Sequence, residues 1–418
     1  MKLCNVALFD GSAFREGRFD IRIENNRIAA VTQHEVGAPL PEGAIDLGGR
    51  TVMPGLVQGH MHADLFAYSG ADFAAGQALG KERPPGVLMA IALRTCGVMF
   101  DSGFTGFIGA ACSSYTDPQL KMAIAEGIVD GPRIRACSHH VGTTGDNNGP
   151  RRWWDIASVP GTDVFADGID GMTRLVREEI RAGAEIVKIY SSAGHGIPNR
   201  VGMRNMSRSE IAAVAEAAHA RGALVRSHVC TKDLILEALE LGIDVIDHGD
   251  EVDEECIELM AKAGTFWVPS LRYVDFGVAS WAAGDPAMVR AQAQYRKMLP
   301  IAHKAGVRIL LGDDYGGTPG FGHFAGCYAA EIEMYAGIEG LSVADVLSWG
   351  TRNGGALLVD QPEKVGVIEP GALADLIVVE GDLAGDATLL QRPQEAVKLV
   401  MANGKVVRRS LQIGNARD

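Results

Sequence analysis

Residues 207–250 read SRSEIAAVAEAAHARGALVRSHVCTKDLILEALELGIDVIDHGD, and this stretch decides the fold. Ser207 followed by Glu210 is a capping box, in which each side chain satisfies a free backbone N–H at the start of a helix. The residues up to Gly222 then carry the small and apolar spacing of an amphipathic helix. ALVRS is an apolar run of strand length that ends at His228, and the pattern repeats, with TKDLILEALELG as helix and IDVID as a strand ending at His248. Outward from this pair of units the alternation continues. EIVKIY precedes it, while DEECIELMAKAG, TFWVPS, a long helix ending LPIAHKAG, and VRILLGDD follow. Ala-Gly or Leu-Gly closes four of the helices, where glycine accepts the left-handed turn that ends a helix. Repeated βα units from about residue 53 to 350 predict an α/β fold, a (β/α)8 TIM barrel with its chemistry at the C-terminal ends of the strands.

The two ends read differently. VALFD, then FDIRIENNRIAAVTQ with Asn25-Asn26 as a hairpin turn, and RTVMPG are short strands; after about residue 360, GVIEPGALADLIVVEG and AVKLVMANGKVV are strands again. Residues 1–52 and 361–418 are therefore expected to pair into one small β domain beside a barrel over 53–360.

Composition narrows the function. The chain has 418 residues, 47% hydrophobic and 22% charged, with no low-complexity tract. Its 52 glycines are neither periodic nor clustered, which suits many tight turns. Thirty-nine Lys and Arg against 52 Asp and Glu give a net charge of −13, the wrong sign for gripping nucleic acid or an anionic membrane. There is no apolar run of roughly 18 residues and no signal-peptide core, so a cytoplasmic protein acting on a small molecule is expected. Seven cysteines without C-x-x-C spacing read as reduced core thiols.

If strand ends form the reactive face, the polar residues just past each apolar run are the candidates. They are His60 and His62, His139 and His140, Lys188, His228, His248, and the pair Asp313-Asp314. A strand alternates faces, so His60 and His62 point the same way and can share one ion. Neutral imidazole and carboxylate hold zinc while leaving a position open for water. Tyr190, His195 and His323 also lie just past strand ends and are candidate substrate contacts. The segment 142–155, GTTGDNNGPRRWWD, reads as a flap in which Arg151 or Arg152 could grip a substrate carboxylate. His139 reads as structural, and His34, His219 and His303 occupy surface-like positions.

Pro54-Gly55-Leu56 leading to His60-x-His62, then Lys188, His228, His248, Gly312-Asp313-Asp314, and the tail motif Gly366-x-Ile368-x-Pro370-Gly371-x-x-Ala374-Asp375 resemble the amidohydrolase superfamily. His248-Gly249-Asp250-Glu251 resembles the branch of metal-dependent prolidases, dipeptidases and imidazolonepropionase-related amidases. The resemblance implies a distorted barrel with a β-sandwich built from both termini. It also implies two divalent ions, with zinc expected, and a homo-oligomer. His60 and His62 would bind one ion with Asp314, or alternatively Asp313; His228 and His248 would bind the other. Lys188, as the carbamate N6-carboxylysine, would bridge them. Asp314 would be the catalytic base and acid, and His140 would stabilise the oxyanion. Cleavage of an amide-type C–N bond follows, in a dipeptide, N-acyl amino acid, aryl amide, carbamate or urea-like substrate.

Cys230 stands where the prolidases have a carboxylate-binding tyrosine, and Gln58 where many relatives have an acid. Two other readings compete. A mononuclear deaminase of a heterocyclic base would carry a glutamate at the place of Thr231 and no strand-four lysine. A non-catalytic scaffold would have lost metal ligands.

Overall fold

The computed structural model describes residues 1–37, 39–66, 83–145, 161–195, 202–280, 282–316 and 322–411. Five strands open the chain: β1 (Lys2–Phe9), β2 (Phe14–Glu24), β3 (Arg27–Gln33), β4 (Ile45–Asp46) and β5 (Thr51–Pro54). The middle alternates helices with β6 (Leu56–Met61), β7 (Phe104–Gly109), β8 (Arg133–Arg135), β9 (Cys137–Gly142), β10 (Asp163–Phe165), β11 (Ile186–Tyr190), β12 (Leu224–Val229), β13 (Val245–His248), β14 (Phe266–Val268) and β15 (Arg308–Ile309). β16 (Leu376–Val379), β17 (Val397–Ala402) and β18 (Lys405–Arg409) end it.

The middle strands make an α/β fold with two parallel sheets, one of three strands in the order β6-β7-β8 and one of seven in the order β10-β9-β11-β12-β13-β14-β15. β8 and β9 are separated only by Ala136, so one stretch of chain serves both sheets. At the opposite margins, the Gly59 N–H donates to the Leu311 carbonyl at 2.6 Å and the His62 N–H to the Tyr315 carbonyl at 2.8 Å. Every residue of β6, β7, β9 and β13 is buried, as expected of parallel strands covered on both faces.

The helices follow their local signals. Ser207 and Glu210 form the predicted capping box of the helix Arg208–His219. Gly264 ends the helix Glu254–Ala263 at φ +70°, a conformation that a side chain would strain. Among the described residues, no helix is long and apolar enough to cross a membrane. All seven cysteines are buried and free.

The terminal strands lie on one hydrogen-bonded path, β18-β17-β16-β5-β1-β2-β3 with β4 on β1, so the two ends share a single mixed sheet. Leu3, Val6, Ile21 and Val52 from the first end and Leu376, Val378, Leu399 and Met401 from the second bury one common cluster. This sheet is tied to the parallel strands through Asp375. Its carboxylate accepts from Arg133 Nε at 2.6 Å and from the Asn403 N–H at 2.6 Å.

Candidate metal centre

His60 and His62 leave the end of β6 on one side, as strand alternation requires, and meet Asp314. His62 Nε2 lies 3.0 Å from Asp314 Oδ1, and His60 Nε2 lies 3.5 Å from it. One ligand atom from each of the three falls within 4.8 Å of the others. Two glycines permit this approach. A Cβ on Gly312 would sit 2.7 Å from the His60 nitrogen, and one on Gly59 would sit 2.6 Å from the Leu311 oxygen. Asp314 adopts φ +57°, so the two adjacent aspartates diverge. A non-glycine residue held there costs on the order of 1 kcal/mol, which surrounding structure must offset. Burial raises the Asp314 pKa, but His60 and His62 outweigh it and hold the carboxyl below its ordinary range.

Asp313 turns the other way. Its Oδ1 accepts from the Arg272 N–H at 3.0 Å and lies 3.4 Å from the Tyr335 hydroxyl. Behind it, buried Glu331 accepts from Gln58 Nε2 and from the Gly312 N–H, each at 2.8 Å. Burial pushes Asp313 up to about 6 and Glu331 well above the usual carboxylate range, so this pair retains a proton near neutrality. Of the two aspartates offered by the sequence, Asp314 is the one that faces His60 and His62.

Between the two sheets lies a buried charge network. Lys188 on β11 pairs in register with Arg226 on β12, and both reach Asp247 on β13. Arg226 gives two bonds to Asp247, at 3.0 and 2.5 Å, and a third to the Gly109 carbonyl at 2.6 Å. Asp247 Oδ1 is also 3.2 Å from His60 Nδ1. Burial lowers the Lys188 ammonium below its ordinary pKa, against the pull of Asp247.

His228 and His248 end β12 and β13, their ring centroids 4.5 Å apart. His248 turns into the cluster through φ +66°, held by Trp267 Nε1, which donates to its carbonyl at 2.6 Å. His195, at φ +47°, stacks on His248 with centroids 3.7 Å apart. Burial lowers the pKa of His60 to about 4 and those of His228 and His248 well below the ordinary value. All three are therefore neutral imidazoles at pH 7. Among the described residues, His228 Nδ1 and His248 Nδ1 have no hydrogen-bond partner, although both are buried. A buried polar atom left this way costs about 1–3 kcal/mol. Neutral imidazoles with bare nitrogens beside a carboxylate and an amine fit a divalent ion of the zinc type.

The remaining sequence candidates divide. His140 sits at the rim, its Nδ1 2.7 Å from Asp163 Oδ1 and its ring 3.5 Å from that of Tyr190, which stacks in turn on His228 at 4.2 Å. His139 faces outward to Glu179, 3.0 Å away, the structural role expected of it. His34, His219 and His303 pair with Asp20, Asp244 and Asp345. His323 stacks on Phe66 with ring centroids 3.7 Å apart. Arg151, Arg152 and the flap beyond residue 145 lie outside the described residues.

Sequence reasoning missed Arg226, Asp247, Asp163 and Asp250. Arg226 gave a signal, being a charge inside an apolar run and two residues before His228, hence on the same strand face. Asp163 gave none, and Asp250 appeared only within the motif His248-Gly249-Asp250-Glu251 with no role assigned, because each acts through a partner more than twenty residues away.

The amidohydrolase family model matches residues 51–407. Ochratoxinase of Aspergillus niger is 26% identical over 386 residues, covering 85% of this chain and 75% of that protein. A solved Xaa-Pro dipeptidase with bound methionine in its active site superposes with a TM-score of 0.82 at 26% identity, covering 97% of this chain and 99% of that one. A prolidase solved with N-methylphosphonate-L-proline gives 0.81 at 28% identity, covering 98% and 99%.

Proposed function

The chain belongs to the amidohydrolase family and is a hydrolase acting on carbon–nitrogen bonds; from that premise we propose that it is a binuclear metal-dependent amidohydrolase. The observation that carries this is the convergence of His60, His62 and Asp314 with His228 and His248 around the buried Lys188. In this reading the ten middle strands work as a distorted (β/α)8 barrel over residues 53–360, and the terminal sheet is the sandwich-like domain of residues 1–52 and 361–418.

His60, His62 and Asp314 would hold one ion, His228 and His248 a second, and Lys188 as N6-carboxylysine would touch both. Two zinc ions bound there would lower the pKa of water toward neutrality and polarise a carbonyl. The chain's own groups do the rest. Asp314, kept ionised by its two histidines, takes the proton of the attacking water and returns it to the leaving nitrogen. His140, oriented by Asp163, faces the oxyanion. Tyr190, His195, His323 and Arg152 bind the substrate, a small molecule with an amide-type bond: a dipeptide, N-acyl amino acid, aryl amide, carbamate or urea. A homo-oligomer in the cytoplasm completes the proposal.

The test is to load the protein with zinc, manganese or cobalt and assay it against that panel of amides, carbamates and ureas. Turnover of at least one class is expected. Inactivity across the panel, or activity only as a deaminase of heterocyclic bases with one ion per chain, overturns the proposal.

A further inference from the structure

His195, like His140 at the rim, meets a carboxylate through Nδ1, but it lies against a candidate metal ligand. Its ring lies between those of His248 and Tyr273, stacked on both, with centroids 3.7 and 4.7 Å away. Its Nδ1 is 2.7 Å from Asp250 Oδ1, and the same oxygen accepts from the Tyr295 hydroxyl at 2.6 Å. Tyr295 is fully buried in the helix Pro286–Lys304, so it anchors Asp250 from a rigid element. The opposite nitrogen, His195 Nε2, is buried and has no hydrogen-bond partner among the described residues.

These contacts fix the tautomer. The Tyr295 hydroxyl donates to Asp250 Oδ1, and a carboxylate oxygen only accepts, so His195 Nδ1 carries the hydrogen that points at it. The neutral ring then has its lone pair on Nε2. An acceptor held rigidly by two stacked rings beside the metal centre recognises a donor.

We infer that Asp250 and Tyr295 are positioning residues that hold His195 as a hydrogen-bond acceptor, and that His195 selects substrates carrying an N–H on the scissile amide nitrogen. This rests on the amidohydrolase reading above and names its substrate class: secondary amides, not the tertiary amides formed by proline. A tertiary amide leaves the buried Nε2 lone pair unsatisfied, the situation in which polar sites discriminate most strongly.

Two measurements on the zinc-loaded full chain test this. The first uses matched substrates that differ only by N-methylation of the scissile nitrogen. The wild type is expected to prefer the N–H form by at least about tenfold in kcat/KM. Asp250→Asn can turn its amide N–H2 toward Nδ1 and so invert the tautomer, which presents Nε2–H to the substrate. That variant is expected to lose the preference, chiefly through kcat on the N–H form, while Asp250→Glu partly restores it and Tyr295→Phe weakens it less. Equal turnover of both forms by the wild type overturns the inference and leaves the hydrolase reading standing.

The second measurement needs no turnover. Nitrogen-15 spectra of histidine-labelled protein, with His195→Gln identifying the signal, are expected to show Nδ1–H and bare Nε2 in the wild type and the reverse in Asp250→Asn. Nε2–H in the wild type overturns the inference even if the amide panel is inert, a result that would by itself count against the hydrolase reading alone.

Discussion

The two halves of the proposed metal centre handle charge differently. His60 and His62 enclose a carboxylate that they hold ionised, so that half already carries the negative charge a cation needs. Among the described residues, no carboxylate pairs with His228 or His248 in that way. Their bare nitrogens lie beside the Lys188 amine and another imidazole, both of which lower their affinity for protons further. Among the described residues the second half has no anionic donor of its own, and carboxylation of Lys188 would provide one by turning a cation into an anion at that point.

The sharpest break of the comparison is Asp314→Ala, which removes the carboxylate that faces the Nε2 atoms of both His60 and His62. Activity is expected to fall by 10³-fold or more, a loss of about 4 kcal/mol in transition-state stabilisation, with metal content reduced as measured by elemental analysis. Lys188→Ala should come next. Loss of about 10²- to 10³-fold is expected, with one ion retained on the His60 side and the other lost; wild-type activity and metal content in this variant would show that the lysine bridges nothing. Asp313→Asn should cost less, about tenfold, because Asp313 bonds away from the centre and acts only by supporting its neighbour. A loss as large as that of Asp314→Ala would mean that the roles of the two aspartates are exchanged.

Acid should distinguish the halves more gently. His60 titrates at about 4 in the fold against an ordinary 6.5. Between these values the unfolded chain binds a proton that the folded chain refuses, so this group's contribution to stability is present above 6.5 and lost as the pH falls toward 4. Protons likewise compete with metal at His60 only near the lower value. Retention of the first ion, followed by equilibrium dialysis, should therefore persist below pH 6.5; release centred at 6.5 would contradict the burial argument. The smallest effect on catalysis is expected at Asp375. Asp375→Ala breaks its bonds to Arg133 and Asn403 and should cost about 2 kcal/mol of stability by denaturant unfolding, with kcat changed less than about twofold.

Much of this centre was legible because strand periodicity is strict. His60, His62, His228 and His248 each fall at or just past the end of an apolar run and Lys188 stands out as a charge inside one, and parallel strands bring such positions to one side. Asp314 was preferred to Asp313 only through the family resemblance, since the positive φ that turns it toward the histidines is not specified by strand periodicity. The pairing of both termini into one sheet followed from their strand composition, but its continuous path depends on β5 pairing with β16 across more than 300 residues. Asp247 lay in plain view inside IDVIDHG, yet its part as the common partner of Lys188, Arg226 and His60 arises from three strands set side by side. His323 was placed by its position after a strand, and its stacking on Phe66 depends on a contact between distant segments that periodicity does not encode.

The most direct measurement is the metal stoichiometry of the active protein purified in the presence of bicarbonate and zinc, combined with intact-mass analysis of Lys188 under non-acidic conditions. The account predicts two ions per chain and a lysine heavier by one CO2. One ion per chain with an unmodified lysine in a fully active enzyme would contradict it.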